Sequence, residues 1–99
     1  MPRPRICRRI FSEPSVTYFK PRGVPMAGLE EVILHMDEFE AVRLKDLEGL
    51  EQEDCARRMG ISQPTFHRLV TSARKKVADA ISHGKALKIH GGRYRIGRP

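Results

Sequence analysis

The sequence predicts a mostly α-helical fold: a three-helix unit built around a helix-turn-helix, with an extended arm in front and a short β-hairpin behind. Apolar residues recur at helical spacing within residues 37–47, 52–59 and 63–83. Pro2, Pro4, Pro14, Pro21 and Pro25 crowd residues 1–28, where no long helix can run. Gly60 stands between the second and third helical segments, where a tight turn is needed. With 99 residues there is room for one small core. The chain therefore divides into an arm (1–28), a helix-turn-helix unit (29–84) and a tail (85–99).

Each element has its own justification. The arm carries apolar anchors, Ile10, Phe11, Tyr18 and Phe19, that can lie on the domain. Residues 29–36, LEEVILHM, hold a short apolar run without helical period and read as extended. Residues 37–47, DEFEAVRLKDL, form the first helix, with Ala41, Leu44 and Leu47 on its inner face and Val42 beside them. Asp37 and Glu38 place negative charge at its positive end, and Asp37 with Glu40 has capping-box spacing. Gly49 closes it. The second helix, about 52–59, turns Cys55, Ala56 and Met59 inward and ends at Gly60. Ser62 is a good N-cap for the third helix, which tolerates Pro64 in its first turn and runs to His83 before Gly84. Phe66, Val70, Ala73, Val77 and Ala80 make its buried stripe. In the tail, Leu87 and Ile89 alternate, as do Tyr94 and Ile96, with Gly91-Gly92 between them, which is a hairpin pattern.

Charge is segregated. Of a net +7, residues 1–29 carry +5 (six bases, one acid), residues 30–54 carry −8 (two bases, ten acids) and residues 55–99 carry +10 (eleven bases, one acid). Such blocks suit a polyanionic partner. The polar positions after the turn, Ser62, Gln63, Thr65, His67, Arg68 and Thr71, suit base edges in a major groove. Gln63 matches adenine, and Arg68 matches guanine or a phosphate. Arg57, Arg58, Arg74, Lys75 and Lys76 would flank the groove and hold phosphates. Arg3, Arg5, Arg8 and Arg9 read either as a minor-groove arm or as a basic tail that adds non-specific affinity.

Residues 37–81, DEFEAVRLKDLEGLEQEDCARRMGISQPTFHRLVTSARKKVADAI, resemble the fourth region of bacterial sigma factors, which reads the −35 promoter element. RPRICRRI, YFKPRGVP, DEFEAVRLKDLEGLEQED and GKALKIHGGRYRI resemble, over nearly the whole chain, a small prokaryotic family of unknown function, domain of unknown function one-three-four. The resemblance implies a helix-turn-helix fold and a DNA-binding role in transcriptional regulation. Glu51 departs from the Ser or Thr that commonly caps the second helix, and Cys55 stands where alanine or a larger apolar residue is common.

Other chemistry finds little support. Cys7 and Cys55, with His35, His67, His83 and His90, lack metal-ligand spacing, so no metal or cofactor is expected. No motif places a nucleophile near His67, and the acids Glu38, Glu40, Asp46, Glu48, Glu51, Glu53 and Asp54 read as solvated helix faces and helix starts. Hence no enzyme is expected. No apolar run reaches the roughly 20 residues that span a bilayer, and the start lacks the apolar stretch of a secretory signal. A reducing cytoplasm is the expected compartment. The expected partner is double-stranded DNA. A homodimer through Val77, Ala80 and Ile81 or the hairpin, and a polymerase contact through the acidic block, are further expectations. The rival readings are a protein-interaction module and an RNA binder.

Overall fold

The computed structural model describes residues 7–97. The expected arm residues Arg3 and Arg5 lie outside that range. Three α-helices form the centre: α1 (Met36–Val42), α2 (Gln52–Met59) and α3 (Gln63–His83). The last two follow their expected bounds. Ser62 caps α3 by accepting the Thr65 N–H at 3.3 Å, and Pro64 sits in its first turn. Glu51 holds the N-cap backbone position of α2, but its side chain caps nothing.

The first helix differs from expectation in three ways. It starts at Met36, and its reciprocal cap is Glu38 with His35 rather than Glu40 with Asp37. Glu38 Oε1 accepts the His35 N–H at 2.9 Å. Glu40 cannot reach back, because its carboxylate is held by Arg43 and by the Phe11 N–H. Beyond Val42 the helix widens into a π-helical turn, Arg43–Leu47, in which the Glu48 N–H donates to the Arg43 carbonyl at 2.9 Å. The wider turn keeps Leu44 buried and carries Leu47 out to 78% exposure, so Leu47 does not join the inner face.

Two apolar clusters meet along α3. The first joins Ala41 and Leu44 to Cys55, Ala56 and Met59 of α2 and to Phe66 and Val70 of α3. The second packs Met36 and Ala73 against Ile10, Leu34 and Ile89, so the arm contributes to the core. Ala73 thus shares α3 between the two clusters, because its stripe is longer than α2 can cover.

The strands explain how the chain ends reach the second cluster. They are β1 (Arg8–Ile10), β2 (Tyr18–Phe19), β3 (Glu31–Leu34), β4 (Ala86–Ile89) and β5 (Tyr94–Ile96). β4 lies between antiparallel β2 and parallel β3. The three helices form the crossover that a parallel β3–β4 pair requires. β5 pairs with β1 in parallel, Arg8 opposite Tyr94 and Ile10 opposite Ile96.

The expected C-terminal hairpin is therefore replaced by pairing between the two ends of the chain. Gly91-Gly92 does not fold β5 back onto β4. The Gly91 carbonyl accepts the Met36 N–H at 2.9 Å, and satisfies a donor that the start of α1 leaves free. Gly92, at φ +90°, passes so close that a Cβ there would lie 2.9 Å from His35 Cβ. The glycines serve a close approach to α1, and the chain leaves that approach pointing along β1.

The turn between α2 and α3 depends on Gly60 at φ +70°. A Cβ at Gly60 would meet only ordinary contacts with the Arg9 side chain, so the obstacle to substitution is conformational. Gly60→Ala is expected to cost about 1–2 kcal/mol from the left-handed backbone. A thermal melt reads this as a fall of several degrees, and an unchanged midpoint would show that the turn adjusts freely.

Candidate functional site

An α-helix whose inner stripe is buried must present the opposite stripe to solvent, and on α3 that stripe is polar and basic. Phe66, Val70, Ala73 and Ala80 are buried, whereas Gln63, His67, Arg68, Thr71 and Lys75 are exposed. The spacing of three and four residues places these side chains on one outer face. Ser62 also precedes this face, but its hydroxyl is committed to the first turn: it donates to Thr65 Oγ1 at 2.8 Å. Thr65 Oγ1 accepts in addition from Arg68 Nη2 at 3.3 Å, which orients the guanidinium along the helix. His67 Nδ1 lies 3.5 Å from Gln52 Nε2, linking the outer face to the start of α2.

The expected phosphate-binding cations divide into two groups. Arg58 and Lys75 are exposed and make no ion pair among the described residues. Arg57 is exposed but pairs with Asp54 at 3.0 Å and Glu53 at 3.6 Å. Arg74 makes two hydrogen bonds to Asp46, at 2.6 and 2.9 Å, and ties α3 to the π-helical turn. That guanidinium beside Asp46 holds its carboxyl below the usual aspartate range. Lys76 turns inward to Glu38 Oε1 at 2.7 Å. Hence Arg74 and Lys76 are structural ties in this fold, and Arg58 and Lys75 are the open cations.

Arg8 and Arg9 are also fixed rather than carried on a loose arm. Arg9 Nη2 donates to the Arg57 carbonyl at 3.0 Å, at the last turn of α2. Arg8 Nε lies 3.5 Å from Asp37 Oδ2. Beside α3 this leaves a cleft of about 280 Å³ lined by Arg8, His35, Asp37, Glu38, Thr65, Arg68, Leu69 and Ser72. Sequence reasoning missed this cleft, because it unites residues from the arm, α1 and α3 that share no local pattern.

Two acids expected on solvated faces or helix starts, Glu38 and Glu40, are instead buried, and so is Asp37. Each has donors, as buried carboxylates require. Glu38 accepts from His35 N at 2.9 Å, Ser72 Oγ at 2.7 Å and Lys76 Nζ at 2.7 Å. Burial pushes the Glu38 carboxyl up, but these hydrogen bonds outweigh it and hold the group below its ordinary value of 4.5. A depressed folded-state value contributes stability above about pH 4.5 that is lost as pH falls through the lower folded value. Glu38→Gln is therefore expected to flatten the acid decline of the melting temperature, read by melts from pH 7 to pH 3. An identical acid decline in the variant would remove Glu38 as its source.

Cys55 is buried with its thiol 3.8 Å from the Leu50 carbonyl, and burial pushes the thiol up. Cys7 is exposed, and the two are not bonded. Among the described residues no group of three or more His, Cys, Asp or Glu is arranged to hold a metal ion, and no helix is long and apolar enough to cross a membrane.

Comparison with known proteins adds kinship without a described activity. A UPF0251 protein of Thermoanaerobacter pseudethanolicus is 62% identical over 96 residues, covering 97% of this chain and 81% of its own length. One of Moorella thermoacetica is 62% identical over 99 residues, covering all of this chain and 66% of its own. One of Dehalococcoides mccartyi is 57% identical over 96 residues, covering 97% of this chain and 82% of its own. No solved structure matches. The family described as Protein of unknown function DUF134 matches residues 1–97, and the chain belongs to that family.

Proposed function

We propose that α2, its turn and α3 form a helix-turn-helix that binds double-stranded DNA without catalysis and acts in transcriptional regulation. The carrying observation is the outer face of α3: Gln63, His67, Arg68, Thr71 and Lys75 exposed on a helix whose other side is locked into the core. An α-helix of about 10–12 Å diameter fits a major groove about 12 Å wide. Gln63 supplies a paired donor and acceptor for a base edge, His67 and Thr71 support it, and Arg58, Arg68 and Lys75 meet phosphates. The +10 balance of residues 55–99 supplies the long-range attraction.

Selection of bound duplexes from a random pool, followed by titration over a salt series, tests this. Gln63→Ala is expected to weaken binding to the selected site by roughly tenfold or more, as loss of a paired base contact of about 1–3 kcal/mol implies. Binding to unrelated duplex should change much less. A variant that keeps both affinity and sequence preference would overturn the assignment. A second reading, a protein contact at the π-helical turn, is favoured by exposed Leu47 between Asp46 and Glu48. Absence of duplex binding at low salt would favour it.

A further inference from the structure

We propose that the cleft beside α3 is a phosphodiester seat, in which Arg8 and Arg68 together grip one strand of the duplex on the side of α3 away from the start of α2. The inference rests on the DNA-binding reading and goes beyond it, by turning an arm residue into a fixed part of the interface. Its starting point is geometric. A helix that fills a major groove has a phosphate wall on each flank. On one flank of α3, α2 is present, with Gln52 beside His67. The opposite flank is formed by Thr65, Leu69 and Ser72, and it opens into the cleft lined by Arg8, His35 and Arg68.

The cleft has the chemistry of an anion seat. Arg8 Nε is buried and makes no hydrogen bond, because its approach to Asp37 is a 3.5 Å charge contact. Arg68 gives one donor to Thr65 and retains others of the five that a guanidinium carries. Arginine forks match phosphate oxygens, and two that line one cleft suit a single phosphodiester. The two acids of the lining do not oppose this. Glu38 already accepts from Lys76, Ser72 and His35, and Asp37 accepts the Glu38 N–H at 2.9 Å. With Lys76 counted, the fixed charges are three cations against two carboxylates, before any charge on His35.

β1 makes the position rigid. Ile10, two residues along, is fully buried, and β1 is hydrogen-bonded alongside β5. The Arg8 N–H also donates to the Arg93 carbonyl at 3.3 Å. Arg8 therefore meets the backbone at a set distance from the reading face, and so fixes how deeply α3 enters the groove.

The test uses the full chain with Arg8→Gln combined with Asp37→Asn. The double change removes the pair together, so no buried carboxylate is stranded. Fluorescence anisotropy of labelled duplex is measured over a salt series for the selected site and for an unrelated duplex, with circular dichroism melts as the folding control. The expected result is a log affinity against log salt slope shallower by about one, with several-fold weaker binding to both duplexes alike. Arg8→Lys, which keeps the charge, should retain most of the slope. Inorganic phosphate should compete only weakly, because a free ion lacks the duplex contacts. A folded double variant with an unchanged slope overturns the seat while leaving DNA binding intact. Failure of the unaltered chain to bind duplex at low salt overturns the parent reading and the seat together. If the double variant does not fold, Arg68→Gln, altered on the exposed helix surface, replaces it, and an unchanged slope there likewise overturns the seat.

Discussion

Replacing Phe66 with alanine is expected to remove about 3–5 kcal/mol of stability, the usual result of deleting a buried aromatic ring. A domain of this size holds roughly 5–15 kcal/mol in total, so the variant should sit close to its unfolding threshold. Phe66 is fully buried and is the largest side chain of the cluster that joins α1, α2 and α3. It lies in the first turns of α3, three residues after the exposed Gln63 and one before the exposed His67. Without the ring, α2 and α3 lose the wedge that fixes their angle, and the outer face of α3 loses its fixed presentation. Urea unfolding measures the effect as a lower midpoint at unchanged slope. Leu47→Ala is the comparison: Leu47 is 78% exposed, and its loss should stay within about 0.5 kcal/mol. Equal effects from the two changes would contradict the packing described.

What could be read from the sequence follows how local the determining interaction is. The bounds of α2 and α3 were legible because residues at the bounds set them: Gly60 and Gly84 take positive φ, and the Ser62 hydroxyl accepts from Thr65. The outer face of α3 was legible for the same reason, since one helix supplies all of it. The tail was legible only halfway. Alternation identified β4 and β5 as strands, but alternation does not say which strand lies alongside. Gly91-Gly92 announced unusual backbone without distinguishing a reversal from a close pass against His35. Burial of Glu38 was invisible because its partners Ser72 and Lys76 lie more than thirty residues away. An acid at a helix start looks the same in sequence whether water or a lysine meets it. The cleft at Arg8 and Arg68 was hidden for the same reason.

Replacing Arg43 with methionine should be nearly as damaging as losing Phe66, by a different route. Glu40 is fully buried, and Arg43 grips its two carboxylate oxygens at 2.7 and 3.0 Å. Removing one partner of such a pair strands a charge away from water, which costs about 3–5 kcal/mol. Removing both is milder, so Arg43→Met with Glu40→Gln should recover much of the loss in a double-mutant cycle. Recovery would identify the stranded charge, rather than lost packing by the arginine stem, as the source. Glu40 also accepts the Phe11 N–H at 2.7 Å, and Phe11 follows Ile10 at the end of β1. The carboxylate is thus the joint between the arm and α1. Glutamine keeps an oxygen for Phe11, whereas Glu40→Ala does not. Amide hydrogen exchange should show Phe11 protected in the unaltered chain, largely protected in Glu40→Gln and exposed in Glu40→Ala. If Phe11 stays protected in Glu40→Ala, the arm is held by Ile10 and the β1–β5 pair alone, and the buried acid would owe its place to Arg43 only.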